Sequence, residues 1–187
     1  MSESGVEHGI TAPTLGARAP EFSARTHYAE QVQLEDLAGA PSALVFYPFA
    51  FSTVCGSELR ELQGVGEQLC AMGARVLAVS CDAVHTLRAY AEDLLSDSDA
   101  DELGLTLVSD FWPHGAMARS YGCFDQVRGA ARRLTVILDP QLRVHTVQTA
   151  GLGEQRDVAQ LLCALREAAS PEAGRDGLIN GVTSGPR

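Results

Sequence analysis

Three short runs along the chain are apolar at nearly every position instead of every second one. They are "ALVFYPF" (Ala43 to Phe49), "RVLAVS" (Arg75 to Ser80) and "LTVILD" (Leu134 to Asp139). A strand with one wet face alternates, so these runs predict strands covered on both faces of a sheet. After the third run, "DPQ" and then "LRVHTVQT" read as a turn and a hairpin partner. Elsewhere apolar residues recur every three to four positions. That period predicts helices over about Cys55–Met72, His85–Leu95, Pro113–Tyr121 and Gln155–Ala169. In the last of these, Val158, Leu161, Leu162 and Leu165 share one stripe, while Gly64 and Gly66 predict a kink in the first. Strands alternating with helices, closed by a hairpin, predict a three-layer α/β sandwich.

Composition narrows this picture. With 187 residues and 45% hydrophobic content, the chain can bury a full core as one domain. That domain is expected over 15–169. A flexible N-terminal extension (1–14) and a flexible C-terminal tail (170–187) are expected where Gly, Pro and Ser replace the periodic pattern. The acidic segment Ser96–Gly104 reads as a solvated loop. A formal charge of −10 without clustered Lys or Arg argues against a nucleic-acid partner. No apolar stretch approaches the roughly 20 residues that span a bilayer. The first residues lack the basic-then-apolar pattern of a secretory signal. The expectation is a soluble, cytoplasmic protein with no membrane partner.

The five cysteines are Cys55, Cys70, Cys81, Cys123 and Cys163, and none forms a C-x-x-C pair. Neither a zinc ribbon nor a thioredoxin-type dithiol is indicated, and each cysteine is by default a small buried apolar residue. Cys55 strains that default. It follows a strand and a short loop, and it opens a helix whose buried stripe is Leu59, Leu62 and Leu69. Glu58 projects to the same side, with Arg60 and Glu61 pointing away. A carboxylate on an apolar face needs a partner. A helix N-terminus favours an anion. Lowering a thiol from ~8.5 to about 6 nevertheless takes roughly 3.4 kcal/mol, more than one dipole supplies, so a cation is expected nearby. On these local features alone, an inert and a reactive Cys55 stand level.

Pro48, Ser52 and Cys55 fit the pattern P-x-x-x-[T/S]-x-x-C, with Glu58 three residues on. This resembles the peroxiredoxins. The segments "SDFWPHGAMARSYGCFD" and "ARRLTVILD" are similar to those of the alkyl hydroperoxide reductase E group, the actinobacterial one-cysteine peroxiredoxins. "GARAPEF" followed by "VQLEDLAG" is similar to the family's opening hairpin and first short helix. The likeness covers roughly Leu15 to Ala169. It implies a thioredoxin-like fold with a central mixed sheet. It also implies a thiol-dependent peroxidase that reduces hydrogen peroxide and organic hydroperoxides without metal, haem or flavin.

The resemblance also implies roles. Cys55 would attack the peroxide and become a sulfenic acid. The Ser52 hydroxyl, in place of the family's commoner Thr, would donate and accept near the peroxide. Pro48 would shield the sulfur, Arg133 would supply the cation, and Glu58 would orient Arg133. Neighbours on a strand face opposite ways, so either Arg132 or Arg133 can enter the pocket, and alignment with the family pattern favours Arg133. The implied reductant is an external thiol or redoxin, mycothiol with a mycoredoxin or a thioredoxin-like protein, and the implied assembly is a homodimer.

Cys70 lies about four helical turns beyond Cys55, too far for a disulfide, and Cys163 falls opposite its helix's apolar stripe. Cys81 and Cys123 stay open as internal resolving thiols. Trp112 and Pro113 either cover the site, form a dimer edge or pack in the core. His114 is a candidate cap for the helix after it, and His85, four residues after Cys81, is a weak metal signal. His8, His27 and His145 read as ordinary surface or strand residues. Two rival functions are weighed. A thiol–disulfide reductase needs a second cysteine beside Cys55, which "CGSE" lacks. A peroxide-sensing redox switch starts from the same sulfenic acid and differs in not turning over.

Overall fold

In the computed structural model, which describes residues 12–96, 102–151 and 154–170, two short strands come first, β1 (Ser23–Thr26) and β2 (Gln31–Gln33). A 3-10 turn (Leu34–Leu37) leads into β3 (Ser42–Phe46), α1 (Thr53–Gly64) and α2 (Gly66–Ala71). Next come β4 (Arg75–Ser80), α3 (Val84–Ser96), β5 (Thr106–Ser109) and α4 (Ala116–Ser120). A small hairpin of β6 (Phe124–Asp125) and β7 (Ala130–Ala131) precedes β8 (Leu134–Leu138), β9 (Val144–Thr149) and α5 (Val158–Ala169). Residues 1–11 and 171–187, which hold most of the two expected tails, and residues 97–101 of the acidic segment lie outside the described residues.

One seven-stranded sheet has the order β2-β1-β5-β4-β3-β8-β9. Its centre is β5, β4 and β3, mutually parallel, with β8 antiparallel to β3 and β9 antiparallel to β8. The three apolar runs are neighbours there, and every residue of β3 and β8 is buried. Side chains alternate between two cores. Ala43, Val45, Tyr47, Val76, Ala78 and Ile137 face α1, α2, α3 and α5. Leu44, Phe46, Leu77, Val79, Leu134 and Val136 face the 3-10 turn, α4 and the β6–β7 hairpin. Burial on both faces is what removes the polar alternation from these strands.

The expected three-layer mixed sandwich is therefore the observed one, with local differences. The first helix breaks at Val65, where the glycine pair predicted a kink. The backbones of Gly66 and Gly104 pack closely here, and the constraint falls on Gly104, where a Cβ would lie 2.9 Å from the Gly66 Cα. The helix expected over Pro113–Tyr121 is shorter, and it is Asp110, not His114, that caps it. The Asp110 carboxylate accepts the N–H groups of Met117 (2.9 Å) and Ala118 (2.8 Å), while His114 is exposed. Trp112 is 71% exposed and Phe111 also lies open, which rules out core packing for Trp112. His27, expected at the surface or in a strand, is 4% exposed, just beyond β1, with its Nδ1 3.4 Å from the Leu107 carbonyl.

Candidate active site

The parallel strands β3, β4 and β5 end on the same edge, and the loops leaving that edge are tied together by one aspartate. Asp82 Oδ2 accepts the Ala50 N–H (2.8 Å) and the Ser80 hydroxyl (2.8 Å), while its carbonyl accepts the Ser109 hydroxyl (2.6 Å). The loop from Pro48 to Ser52 is thereby fixed against the end of β4. Pro48 is buried, and Phe51 adopts φ 59°, a left-handed conformation that a bulky residue holds only where its surroundings enforce it. Ser52 is the N-cap of α1 in extended backbone, and its carbonyl accepts the Gly56 N–H at 2.8 Å. Its side chain does no capping: Oγ is buried without a hydrogen-bond partner. Cys55 is the third residue of α1 and 2% exposed, so its sulfur lies in the core edge beside the first-turn N–H groups that have no carbonyl one turn back.

Glu58 follows one turn later on the inward face, 2% exposed. Its Oε1 accepts from the Arg133 guanidinium and from the Arg156 backbone N–H (2.6 Å), and its Oε2 accepts Arg156 Nη1 at 2.9 Å. Arg133, just before β8, is 2% exposed. Arg132, in the link between β7 and β8, turns away from Glu58 towards Asp125. It stays partly exposed, 3.8 Å from the Asp125 carboxylate, and its N–H bonds the Cys123 carbonyl. Arg156 comes from the segment before α5, and its guanidinium also reaches the Phe46 carbonyl at the end of β3. Burial pulls the Arg156 guanidinium below its ordinary value, and the Glu58 charge and the field of Cys55 counter that.

The structure thus brings Pro48, Ser52, Cys55, Glu58 and Arg133 to one place and adds Arg156, which sequence reasoning missed. A signal existed. A buried carboxylate offers about four lone-pair sites, more than Arg133 alone occupies, so a second donor was called for. Two guanidiniums and one carboxylate carry a formal charge of +1 in a site removed from water. A cluster of that charge can stabilise negative charge that develops next to it.

The other thiols lie apart. Cys70 and Cys163 are exposed. Cys123 is fully buried in the core on the opposite face of the sheet from Cys55. Cys81 follows the last residue of β4 and lies on that same opposite side, where its sulfur and the Phe124 ring close over the bare Cα of Gly115. Burial, then the Asp110 charge, pushes the Cys81 thiol up to about 12, and the same two causes push Cys123 up further. Among the described residues no group of three or more His, Cys, Asp or Glu is arranged to hold a metal ion.

Comparison with known proteins is consistent with this geometry. A profile of the AhpC/TSA family matches residues 15–147. Over 146 residues the chain is 33% identical to alkyl hydroperoxide reductase E of Mycobacterium tuberculosis, covering 76% of this chain and 90% of that protein. It is 32% identical over 160 residues to alkyl hydroperoxide reductase C of Staphylococcus aureus, covering 85% and 82%. Among solved structures, AhpC of Enterococcus faecalis superposes with a TM-score of 0.73 at 24% identity, over 82% of this chain and 91% of the other. Peroxiredoxin 6 of Arenicola marina, as a cysteine-to-serine mutant, gives 0.75 at 20% identity over 83% and 73%. At such identities the structural likeness is one of fold, and that fold is thioredoxin-like.

Proposed function

This chain belongs to the AhpC/TSA family and is a thiol-dependent peroxidase, and on that premise we propose that Cys55 is the thiol that reduces the peroxide. The observation that carries this reading is the buried Glu58–Arg133–Arg156 cluster. Its net positive charge is set beside the one cysteine that opens a helix. The Cys55 thiolate attacks one peroxide oxygen as the O–O bond breaks. The products are Cys55 sulfenic acid and, once the leaving oxygen takes a proton from solvent, water or an alcohol. Arg133 and Arg156 stabilise the charge that develops on the departing oxygen. The Ser52 hydroxyl, buried and otherwise unpartnered, positions the peroxide. Pro48 closes the loop over the sulfur. Glu58 holds both guanidiniums in place without touching the reactants.

Regeneration uses an external thiol. The positions of Cys70, Cys81, Cys123 and Cys163 support this, since two are exposed away from the site and two are on the far face of the sheet. One reductant thiol displaces water from the sulfenic acid to form a mixed disulfide, and a second releases Cys55. Mycothiol with a mycoredoxin, or a thioredoxin-like redoxin, fits that chemistry. No helix among the described residues is long and apolar enough to cross a membrane, and a reducing cytoplasm would suit five free thiols. A homodimer is the assembly we favour. Phe49, Phe51, Phe111 and Trp112 are exposed on loops at one edge of the sheet, and exposed aromatic rings of this kind favour a partner surface.

The test is peroxide consumption by single variants. Cys55→Ser abolishes it, while Cys70→Ser and Cys163→Ser keep it nearly intact. Undiminished turnover by the Cys55→Ser protein refutes the assignment.

A further inference from the structure

Two buried tyrosine hydroxyls packed with Cys55, those of Tyr47 and Tyr90, have no hydrogen-bond partner and no task in the reaction just described, and the Tyr90 hydroxyl is the one that lies against the Cys55 turn. Tyr90, on α3, is 1% exposed, and its hydroxyl is buried with no hydrogen-bond partner. Its ring is held by Phe51, 4.8 Å away centre to centre at 52°, and lies 6.5 Å from the Tyr47 ring. Its hydroxyl sits against the first turn of α1. A Cβ on Gly56, the residue after Cys55, would lie 3.6 Å from Tyr90 Oη and 3.0 Å from Arg60 Nη1. The phenol oxygen thus lies within ordinary contact distance of position 56, next to the Cys55 turn. Burial first, and then the nearby Cys55 sulfur, push the phenol up to about 12. At neutral pH the group keeps its proton and can only donate it as a hydrogen bond or accept one.

A buried hydroxyl without a partner destabilises the fold that contains it. Cys55 and Tyr90 belong to one buried cluster, so oxidation of Cys55 adds an oxygen acceptor to the packing around the phenol. We propose that Tyr90 is a positioning residue for the oxidised enzyme, its hydroxyl donating a hydrogen bond to the oxygen that Cys55 acquires. The inference rests on Cys55 being the thiol oxidised. The first step is Cys55–S⁻ + ROOH + H⁺ → Cys55–SOH + ROH. The sulfenic acid then loses its proton to solvent, and Tyr90 O–H donates to the resulting Cys55–SO⁻ while keeping its own proton. Further oxidation, Cys55–SO⁻ + ROOH → Cys55–SO₂⁻ + ROH, starts from that anion. A donor that favours the anion lowers the pH at which it forms.

The experiment uses Tyr90→Phe, which keeps the ring on Phe51 and removes only the hydroxyl. Peptide mapping after one equivalent of hydrogen peroxide comes first. If the unsubstituted protein gains no oxygen at Cys55, the assignment of Cys55 has failed and this inference falls with it. With that oxygen in place, sulfinic acid formation in excess peroxide is followed by intact mass across pH. Losing one charge-assisted hydrogen bond corresponds to about one to two units, so the midpoint of the Tyr90→Phe profile moves up by that amount. The reduced variant melts no lower than the unsubstituted protein, whereas the Tm gained on forming the sulfenic acid shrinks. Coincident midpoints, with an unchanged Tm difference between reduced and oxidised states, overturn the proposal. If Tyr90→Phe fails to fold, a fluorinated tyrosine at position 90 is a stronger donor of nearly the same shape. It moves the midpoint down, and an unmoved midpoint there overturns the proposal equally.

Discussion

Replacing Glu58 by Gln changes one atom in a buried carboxylate that accepts three hydrogen bonds. Oε1 of Glu58 accepts from the Arg133 guanidinium and the Arg156 backbone, and Oε2 accepts from the Arg156 side chain. Glutamine keeps the shape but turns one acceptor into an NH₂ donor, and on either side that donor meets an N–H group. The less costly orientation places it against Arg156 Nη1 and leaves a single neutral acceptor for the other two donors. Each charge-assisted bond lost costs about 1.5–3 kcal/mol. Leaving two buried guanidiniums without their counter-charge brings the expected loss to about 3–5 kcal/mol, as for other buried pairs broken on one side. For a chain of this size that is a fall in Tm of roughly 6–20 °C. Glu35→Gln is the comparison. Its partner Arg18 lies 2.6 Å away, but both side chains are about half exposed (51% and 52%), so the loss there stays under about 1 kcal/mol. Urea unfolding of the reduced proteins at neutral pH, followed by circular dichroism, measures both. The same Glu58→Gln protein loses peroxide consumption because Arg133 and Arg156 are no longer held. A stability loss as small as that of Glu35→Gln refutes the view that Glu58 anchors the cluster.

Arg133→Met is expected to slow oxidation of Cys55 by about 10²–10³-fold, the usual cost of removing one donor to a developing oxyanion. Arg132→Met should change it only a few-fold, because Arg132 faces Asp125; equal losses in stopped-flow measurements would reverse the two roles. Burial holds the His27 imidazole below its ordinary 6.5, against a lift from its bond to the Leu107 carbonyl. The unfolded chain then takes up a proton at higher pH than the folded one. Stability is full above 6.5 and declines as the pH falls below it towards the folded value. His27→Gln flattens that decline, measured as the Tm difference between about pH 8 and pH 5; an unchanged slope counts against a buried neutral imidazole. Cys123→Ser places a hydroxyl in the second core and is expected to cost about 1–3 kcal/mol of stability while peroxide turnover persists. Loss of turnover in a folded Cys123→Ser protein would instead make Cys123 part of the catalytic cycle.

Much of the fold was legible because its signals are local. β3, β4 and β8 announce themselves by being apolar on both faces, and α1 and α5 by stripes of Leu and Val at helical spacing. The short strands were harder. β5, with four residues, and the two-residue β6 and β7 are too brief for a period to emerge, and β1 is placed beside β5 by pairing across some eighty residues. His27 was misjudged for the same reason: a histidine is not marked as buried by its neighbours in sequence, only by the strand that comes to lie beside it.

At the site, the chain by itself determined that Cys55 opens a helix, that Ser52 and Pro48 precede it, and that Glu58 faces inward, because helix geometry fixes such relations within a few residues. Only the tertiary structure decided what meets them. Arg156 reaches Glu58 from 98 residues away, and Tyr90 reaches the Cys55 turn from another helix altogether. Both contacts exist because the sheet brings α1, α3 and the segment before α5 onto one face. A guanidinium or a phenol seeking a distant partner leaves no periodic trace in the residues around it.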